Sequence, residues 1–146
     1  GVYPMSDTIE TKIDSALFGR LATLTLTPTH QIAWPNVNMT PTGQHLRVDN
    51  LWNDPRTVTL GDAGKNRYVG LFQVSVAWPV NLGAIGPADV AGAIAAHFKR
   101  GTVMTHEGIN VRVVRPPLRL PAFTEDNTWY VIPVRVPYQA DAANPS

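Results

Sequence analysis

From Arg67 to Trp78, the side chains of Phe72, Val74, Val76 and Trp78 fall on one face of an extended chain, and Leu71, Gln73, Ser75 and Ala77 fall on the other. This period of two is that of a β-strand with one side turned to a core. A strand of this kind requires neighbours in a sheet and a cover over its apolar face. A second such run lies near the C-terminus, where Tyr130, Ile132, Val134, Val136 and Tyr138 alternate with Trp129, Val131, Pro133 and Arg135. Pro133 has no N–H to give to a ladder, which predicts an edge position or a bulge for that strand.

Shorter segments read the same way. Ile109, Val111 and Val113 alternate with Asn110 and Arg112; His45–Val48 and Arg56–Leu60 alternate; and His30–Trp34 reads as a strand stopped by Pro35. Between them stand turn formers: Asn36 to Gly43, Asn50, Asn53-Asp54-Pro55, Gly61 to Asn66 and Pro79 to Gly86. The stretch from Arg115 to Thr128 reads as one long proline-rich link, a length that in a compact domain points to function or mobility.

Helical spacing occurs twice. Ile9, Ile13, Ala16, Leu17 and Leu21 make one apolar stripe, with Asp7 and Glu10 forming a capping-box-like start. Val90, Ile94 and Phe98 make another, with Ala91 and Ala95 beside them. There Pro87 is expected at the first helical position, Asp89 in the first turn, Lys99-Arg100 in the last, and Gly101 as the C-terminal cap. Strands run consecutively between the two helices. The fold class expected is therefore α+β, a mainly antiparallel or mixed sheet with two helices packed on one face. Residues 1–4 are expected to be an expression remnant or disordered, 5–139 a single domain, and 140–146 a flexible tail. No internal repeat is visible.

The chain has 146 residues, 44% of them hydrophobic and 16% charged, with a formal net charge of +1. A protein that grips nucleic acid through phosphates normally shows a basic excess or stripe. Here the longest basic run is Lys99-Arg100, which reads as a helix end. The absence of cysteine excludes disulfides, a thiolate nucleophile and thiolate metal sites. No apolar run approaches the length of a membrane span, and the first residues do not read as a signal peptide.

Each catalytic pattern has a plainer competitor. His30, His45, His97 and His106 lack the spacings by which histidines of one element share a metal. Glu125-Asp126, beside Asn127, reads as a solvated turn rather than an acid–base pair. Gly83-Ala84-Ile85-Gly86 precedes a helix but carries no further phosphate-loop fingerprint. The four tryptophans, Trp34, Trp52, Trp78 and Trp129, lack the interleaved cations of a nucleic-acid stacking platform. Trp78 is expected in the core. Trp52, in a polar turn-rich stretch, is expected to be exposed, where tryptophans often anchor interfaces. No catalytic, cofactor-binding or metal-binding residue is assigned, and the chain is not expected to be an enzyme.

Four stretches taken in order resemble the small tail terminator-like proteins of long-tailed phages and prophages. They are Ile32 to Pro41, Gly70 to Pro79, Ala88 to Gly101 with its ending His97-Phe98-Lys99-Arg100-Gly101, and Trp129 to Tyr138. The resemblance covers about residues 5 to 139, and none of its pieces is a catalytic signature. It implies a sheet with helices on one side and a virion protein of the tail, assembled in the bacterial host cytoplasm. It implies a homo-oligomeric ring, six subunits in number, that caps the tail tube, ends polymerisation of the tube protein and offers a surface to the head-completion or connector protein. DNA would pass through the lumen without specific binding, and no membrane or cofactor is involved.

A head-to-tail ring needs two different complementary patches on each subunit. The parts not explained by a core are the second sheet face, the 49–67 segment and the 115–128 link. Subunit and tube contacts are expected there, with Trp52, Arg56, Lys65, Arg67, Arg119 and Phe123 as the candidate interface residues. Three other readings compete: another head–tail joining or neck protein, a small ligand-binding or enzymatic domain with a pocket between helices and sheet, and a nucleic-acid-binding module, which the near-zero net charge disfavours. Binding to tube ends separates the first; convergent polar groups in a cleft would mark the second; a steep salt dependence of DNA affinity would mark the third.

Overall fold

A computed structural model of the chain describes residues 8–26, 30–35, 37, 39–41, 43–52, 56–57 and 65–143. The elements run α1 (Ile9–Ala22), β1 (Gln31–Ala33), β2 (His45–Trp52), β3 (Arg56–Thr57), β4 (Lys65–Pro79), α2 (Ile85–His97), β5 (Val103–His106), β6 (Ile109–Val113), β7 (Leu118–Arg119), β8 (Phe123–Glu125) and β9 (Trp129–Ala143). The α+β class read from the sequence holds.

The sheet is built around β4 and β9, which pair antiparallel over their whole lengths, from Lys65 opposite Ala143 to Pro79 opposite Trp129. The main strand order is β1-β2-β4-β9-β6-β5, with β1 parallel to β2 and the other pairs antiparallel. The outer side of β4 is shared by β2 and β3. The outer side of β9 is covered in turn by β8, β7 and β6.

That arrangement corrects the reading of Pro133, since its strand is central rather than at an edge. A residue's N–H and C=O project toward the same neighbour in a sheet. The Pro133 carbonyl accepts from Leu120 N at 2.9 Å and the Pro137 carbonyl accepts from Val114 N at 3.0 Å. Both prolines therefore turn their missing N–H toward the interrupted β6–β8 side, where pairing is discontinuous anyway. The ladder to β4 loses nothing.

Side chains of Phe72, Val74 and Val76 on β4 and of Ile132, Val134, Val136 and Tyr138 on β9 form the core with both helices. Phe72 is the centre: its ring lies 5.9 Å from that of Phe18 in α1 and 5.5 Å from that of Phe98 just after α2, so both helices cover the same face. Truncating a ring so enclosed typically costs about 3–5 kcal/mol. Trp78 is half-buried at the margin of this core.

Several boundaries differ from expectation. The N-cap of α1 is Thr8, whose hydroxyl accepts from Thr11 N at 3.2 Å; Asp7 lies outside the described residues. α2 starts at Ile85, so Pro87 is its third residue and no acid stands in its first turn. Pro87 is tolerated there because the first N–H groups of a helix have no internal partner. Lys99 and Arg100 lie beyond the helix end, whose C-cap is Phe98. Gly101, at φ +90°, is not the cap but turns the chain toward β5, its N–H donating to Val113 O at 2.8 Å.

Three expected connections contain strand. β2 continues through Asn50 to Trp52, Asn66 lies within β4, and the 115–128 link pairs twice with β9 through β7 and β8. β5, not foreseen, pairs with β6 across a turn in which Glu107 and Gly108 have φ +48° and +84°, the left-handed pair of a tight hairpin. The expected flexible tail is strand as far as Ala143, because β4 begins early enough to pair with it. Of the expected Arg56–Leu60 strand, Arg56–Thr57 is present and the remainder lies outside the described residues.

Candidate functional site

The register sets a second row of side chains on the face opposite the helices. Leu71, Gln73, Ser75 and Ala77 of β4 stand beside Leu51, Asp49, Arg47 and His45 of β2, and beside Pro137, Arg135, Pro133 and Val131 of β9. Directly opposed residues in an antiparallel pair share a face. Leu118 opposite Arg135 and Phe123 opposite Val131 extend the row.

This face is polar at its centre, and its polar side chains other than Asp49 are matched. Arg47 Nη1 donates to Glu125 Oε2 at 2.7 Å, and Arg47 Nε donates to His45 Nε2 at 3.3 Å. His45 Nδ1 lies 3.0 Å from Gly43 O, and its ring meets that of Trp129 edge-on at 4.7 Å. An Nδ1–H tautomer satisfies both contacts: it donates to the carbonyl and leaves Nε2 to accept from Arg47. Burial pushes the His45 imidazole below its ordinary value; Arg47 and His30 push the same way, against the Gly43 bond and Glu125. The bond from Arg47 holds the Glu125 carboxyl below its usual range. Along the sheet, Arg135 Nε donates to Gln73 Oε1 at 2.8 Å, and Gln73 Nε2 reaches Ser75 Oγ at 3.4 Å. At the far end Arg67 donates to both oxygens of Asp141, at 2.9 and 3.2 Å.

Around this network stand exposed apolar side chains: Leu51, Leu118 at 58% exposure and Phe123 at 48%. Large apolar groups in contact with water beside a rigid, paired polar belt have the composition of a protein contact surface. At one end, Leu82 on the loop before α2 and Ile85, the first residue of α2, are also exposed. A cleft of about 460 Å³ there is lined by Val80, Asn81, Gly83, Ala84, Thr124, Asn127 and Tyr130. Among the described residues no carboxylate, imidazole, lysine or arginine lines it. Among the described residues no His, Cys, Asp and Glu group could hold a metal ion. The described residues of this face offer contact area and fixed charge pairs, with no nucleophile set against a base among them.

The six candidate interface residues separate into groups. Trp52 stands opposite Gly70, Arg56 opposite Arg67, and Lys65 opposite Ala143, so the backbone gathers these three and Arg67 at one end of the sheet. The side chains of Trp52, Arg56 and Lys65 lie outside the described residues. Phe123 pairs with Val131, ten residues along β9 from Asp141, or about 33 Å at the rise of a strand. Arg119 stands opposite Val134 and so on the helix side, with Nη1 3.4 Å from Ala88 O of α2. One plane of contact cannot hold both Phe123 and Arg119.

Leu51 and Leu118 were not singled out by sequence reasoning. The prolines around Leu118 conceal the two-residue strand that turns it outward, and Leu51 lies in the turn-rich 49–67 segment just past Asn50, where the sequence shows no strand period.

A family model described as phage tail terminator protein matches residues 12–138 of the chain. One solved structure is 26% identical to it, with a TM-score of 0.75 over 96% of this chain and 100% of the other. No curated protein matches.

Proposed function

Because the chain belongs to the phage tail terminator protein family and is thus a structural component of a virion tail, we propose that it caps the tail tube as a ring of six copies. In that role it ends polymerisation of the tube protein and presents the surface to which the head-completion or connector protein attaches. Assembly takes place in the bacterial host cytoplasm, and DNA passes through the lumen. The reading assigns no catalytic residue and no cofactor, so the protein acts by contact alone.

The observation that carries the proposal is the helix-free face, where matched charges and exposed Leu51, Leu118 and Phe123 occupy the side of the sheet not used by the core. A ring subunit must offer two different patches, because a self-complementary contact closes as a dimer. The helix-free face and the Arg119 side of α2 are two such surfaces, one on each side of the sheet. The candidate residues Trp52, Arg56, Lys65 and Arg67 at one end and Phe123 at the other are the positions at which neighbouring copies and the tube are proposed to meet.

Tube elongation tests this directly. Polymerising tail tube protein is incubated with the chain and the tube lengths are measured by electron microscopy. Arrested growth with added density at one tube end is expected. Unchanged tube lengths with bare ends would overturn the reading.

A further inference from the structure

The arginines whose side chains are described divide sharply. Arg20 bonds to His97 O, Arg47 to Glu125, Arg67 to Asp141, Arg119 to Ala88 O and Arg135 to Gln73. Arg100, Arg112 and Arg115 have no bonded partner among the described residues, and all three are exposed. They lie in one place. The turn after α2 is pinned by Gly101 N donating to Val113 O at 2.8 Å and Thr102 N donating to Lys99 O at 3.0 Å. This brings Arg100 and Arg112 to a single cleft of about 340 Å³, lined also by Gly101, Val113, Val114 and Gln139. Exposed Lys99 and Arg115 adjoin the lining residues in sequence.

Asp141, which lines an adjoining cleft with Arg112, already gives both its oxygens to Arg67. The carboxylates without bonded partners among the described residues are scattered: Glu10 in α1, Asp49 in β2, Asp89 in α2, and Glu107 and Asp126 in hairpin turns. Among the described residues a second copy therefore offers no concentrated acidic patch to face this cleft. A ligand that brings its own dense negative charge fits better.

We propose that the Arg100–Arg112 cleft is a phosphate site that holds the backbone of duplex DNA without reading its bases. The guanidinium fork matches phosphate oxygens in two-point fashion. Backbone contacts of this kind position a duplex and carry no sequence information. The site is invisible in the sequence because Lys99-Arg100 and Arg112 lie twelve positions apart and the overall charge is +1. The inference does not depend on the ring reading; a monomer could bind in the same way.

The test is fluorescence anisotropy of a labelled 20-base-pair duplex of arbitrary sequence, titrated with the full chain at several salt concentrations. With roughly two to four phosphates contacted, the logarithm of the affinity should fall with the logarithm of salt at a slope of about −2 to −4. R100A/R112A should weaken binding at least about tenfold at low salt and flatten that slope. K12E changes the net charge by the same two units elsewhere and should leave the affinity within about twofold. These three side chains lie outside the core, so melting temperatures should be unchanged, and R112A alone gives the same readout should the pair lose its fold. Three results would each overturn the proposal: no binding by the natural chain at low salt; equal losses from R100A/R112A and K12E, which would indicate net charge alone; and competition by polyglutamate as effective as by unlabelled duplex, which would indicate an acidic protein as the ligand.

Discussion

Arg20 and His97 bind each other's main chain: Arg20 Nε and Nη2 donate to His97 O at 3.1 and 2.9 Å, and His97 Nε2 lies 2.7 Å from Arg20 O. Arg20 is in the last turn of α1 and His97 is the last residue of α2. Carbonyls at a helix C-terminus lack internal partners; Arg20 supplies two donors to that of His97, and the Arg20 carbonyl, to which Thr23 already donates, takes the His97 ring as well. The two helices that cover the core are thereby fixed end to end.

Replacing Arg20 should therefore destabilise the fold although the residue is not fully buried. Arg20→Met keeps much of the stem but leaves His97 O without its two donors, a loss of about 1–3 kcal/mol. Arg20→Lys should recover only part of this, because an ammonium cannot reproduce the two-point fork. Urea unfolding of the three proteins measures both steps. Equal stability of Arg20→Met and the natural chain would show that the contact contributes nothing.

Two glycine substitutions should act in opposite directions. A Cβ at Gly70 would lie 2.6 Å from Tyr138 Oη and 2.9 Å from the Leu51 carbonyl. Gly70→Ala should cost about 1–3 kcal/mol through overpacking between β2 and β9. A Cβ at Gly92, in the middle of α2, meets nothing within 4 Å. Gly92→Ala should stabilise by about 0.5–1 kcal/mol through helix propensity. Thermal unfolding should give melting temperatures on either side of the natural value.

Stability should fall with acid through His45. Its folded value is depressed, chiefly by burial, from the ordinary 6.5. Within the window below 6.5 the unfolded chain binds the extra proton and the folded chain does not, so its contribution is present above that value and lost as pH falls through the folded one. Protonation would also place a proton on Nε2 facing Arg47 Nε, where two donors and two like charges meet. Urea unfolding at pH 7.5 and 5.5 should show a steeper acid loss for the natural chain than for His45→Gln. Identical losses would remove His45 as the cause.

The helix-free face should tolerate charge in the monomer and reject it in the assembly. Leu118 and Phe123 are exposed, so Leu118→Asp and Phe123→Asp should each change folding stability by no more than about 0.5 kcal/mol. Self-association, followed by sedimentation velocity, should be lost. Retained association would exclude this face as a subunit contact.

The most legible parts of the chain were those where one periodicity ran unbroken. The alternation of Phe72, Val74 and Val76 gave the buried face of β4, and Val90, Ile94 and Phe98 gave the buried face of α2 and its end. Errors came where a local rule was satisfied by an arrangement the sequence does not display. Pro133 sits in a central strand because its neighbour on one side is discontinuous, which depends on β6, β7 and β8 sharing that side. Leu118-Arg119 and Phe123-Glu125 are too short to show a period of their own and exist as strands through pairing with β9. β5 is held by its hairpin to β6, and its four residues, Val103 to His106, carry no strong alternation. The meeting of Arg100 with Arg112 depends on tertiary contact alone. The six proposed interface residues were chosen as positions unclaimed by the core; their division between two faces and two ends could only come from the register.

Native mass spectrometry across a range of protein concentrations tests the ring most directly. A six-subunit species that grows in with concentration, without a stable closed dimer, is the expected result. A dimer that stays closed at every concentration would contradict it, since a two-fold contact would use the surface that a ring needs for its neighbour.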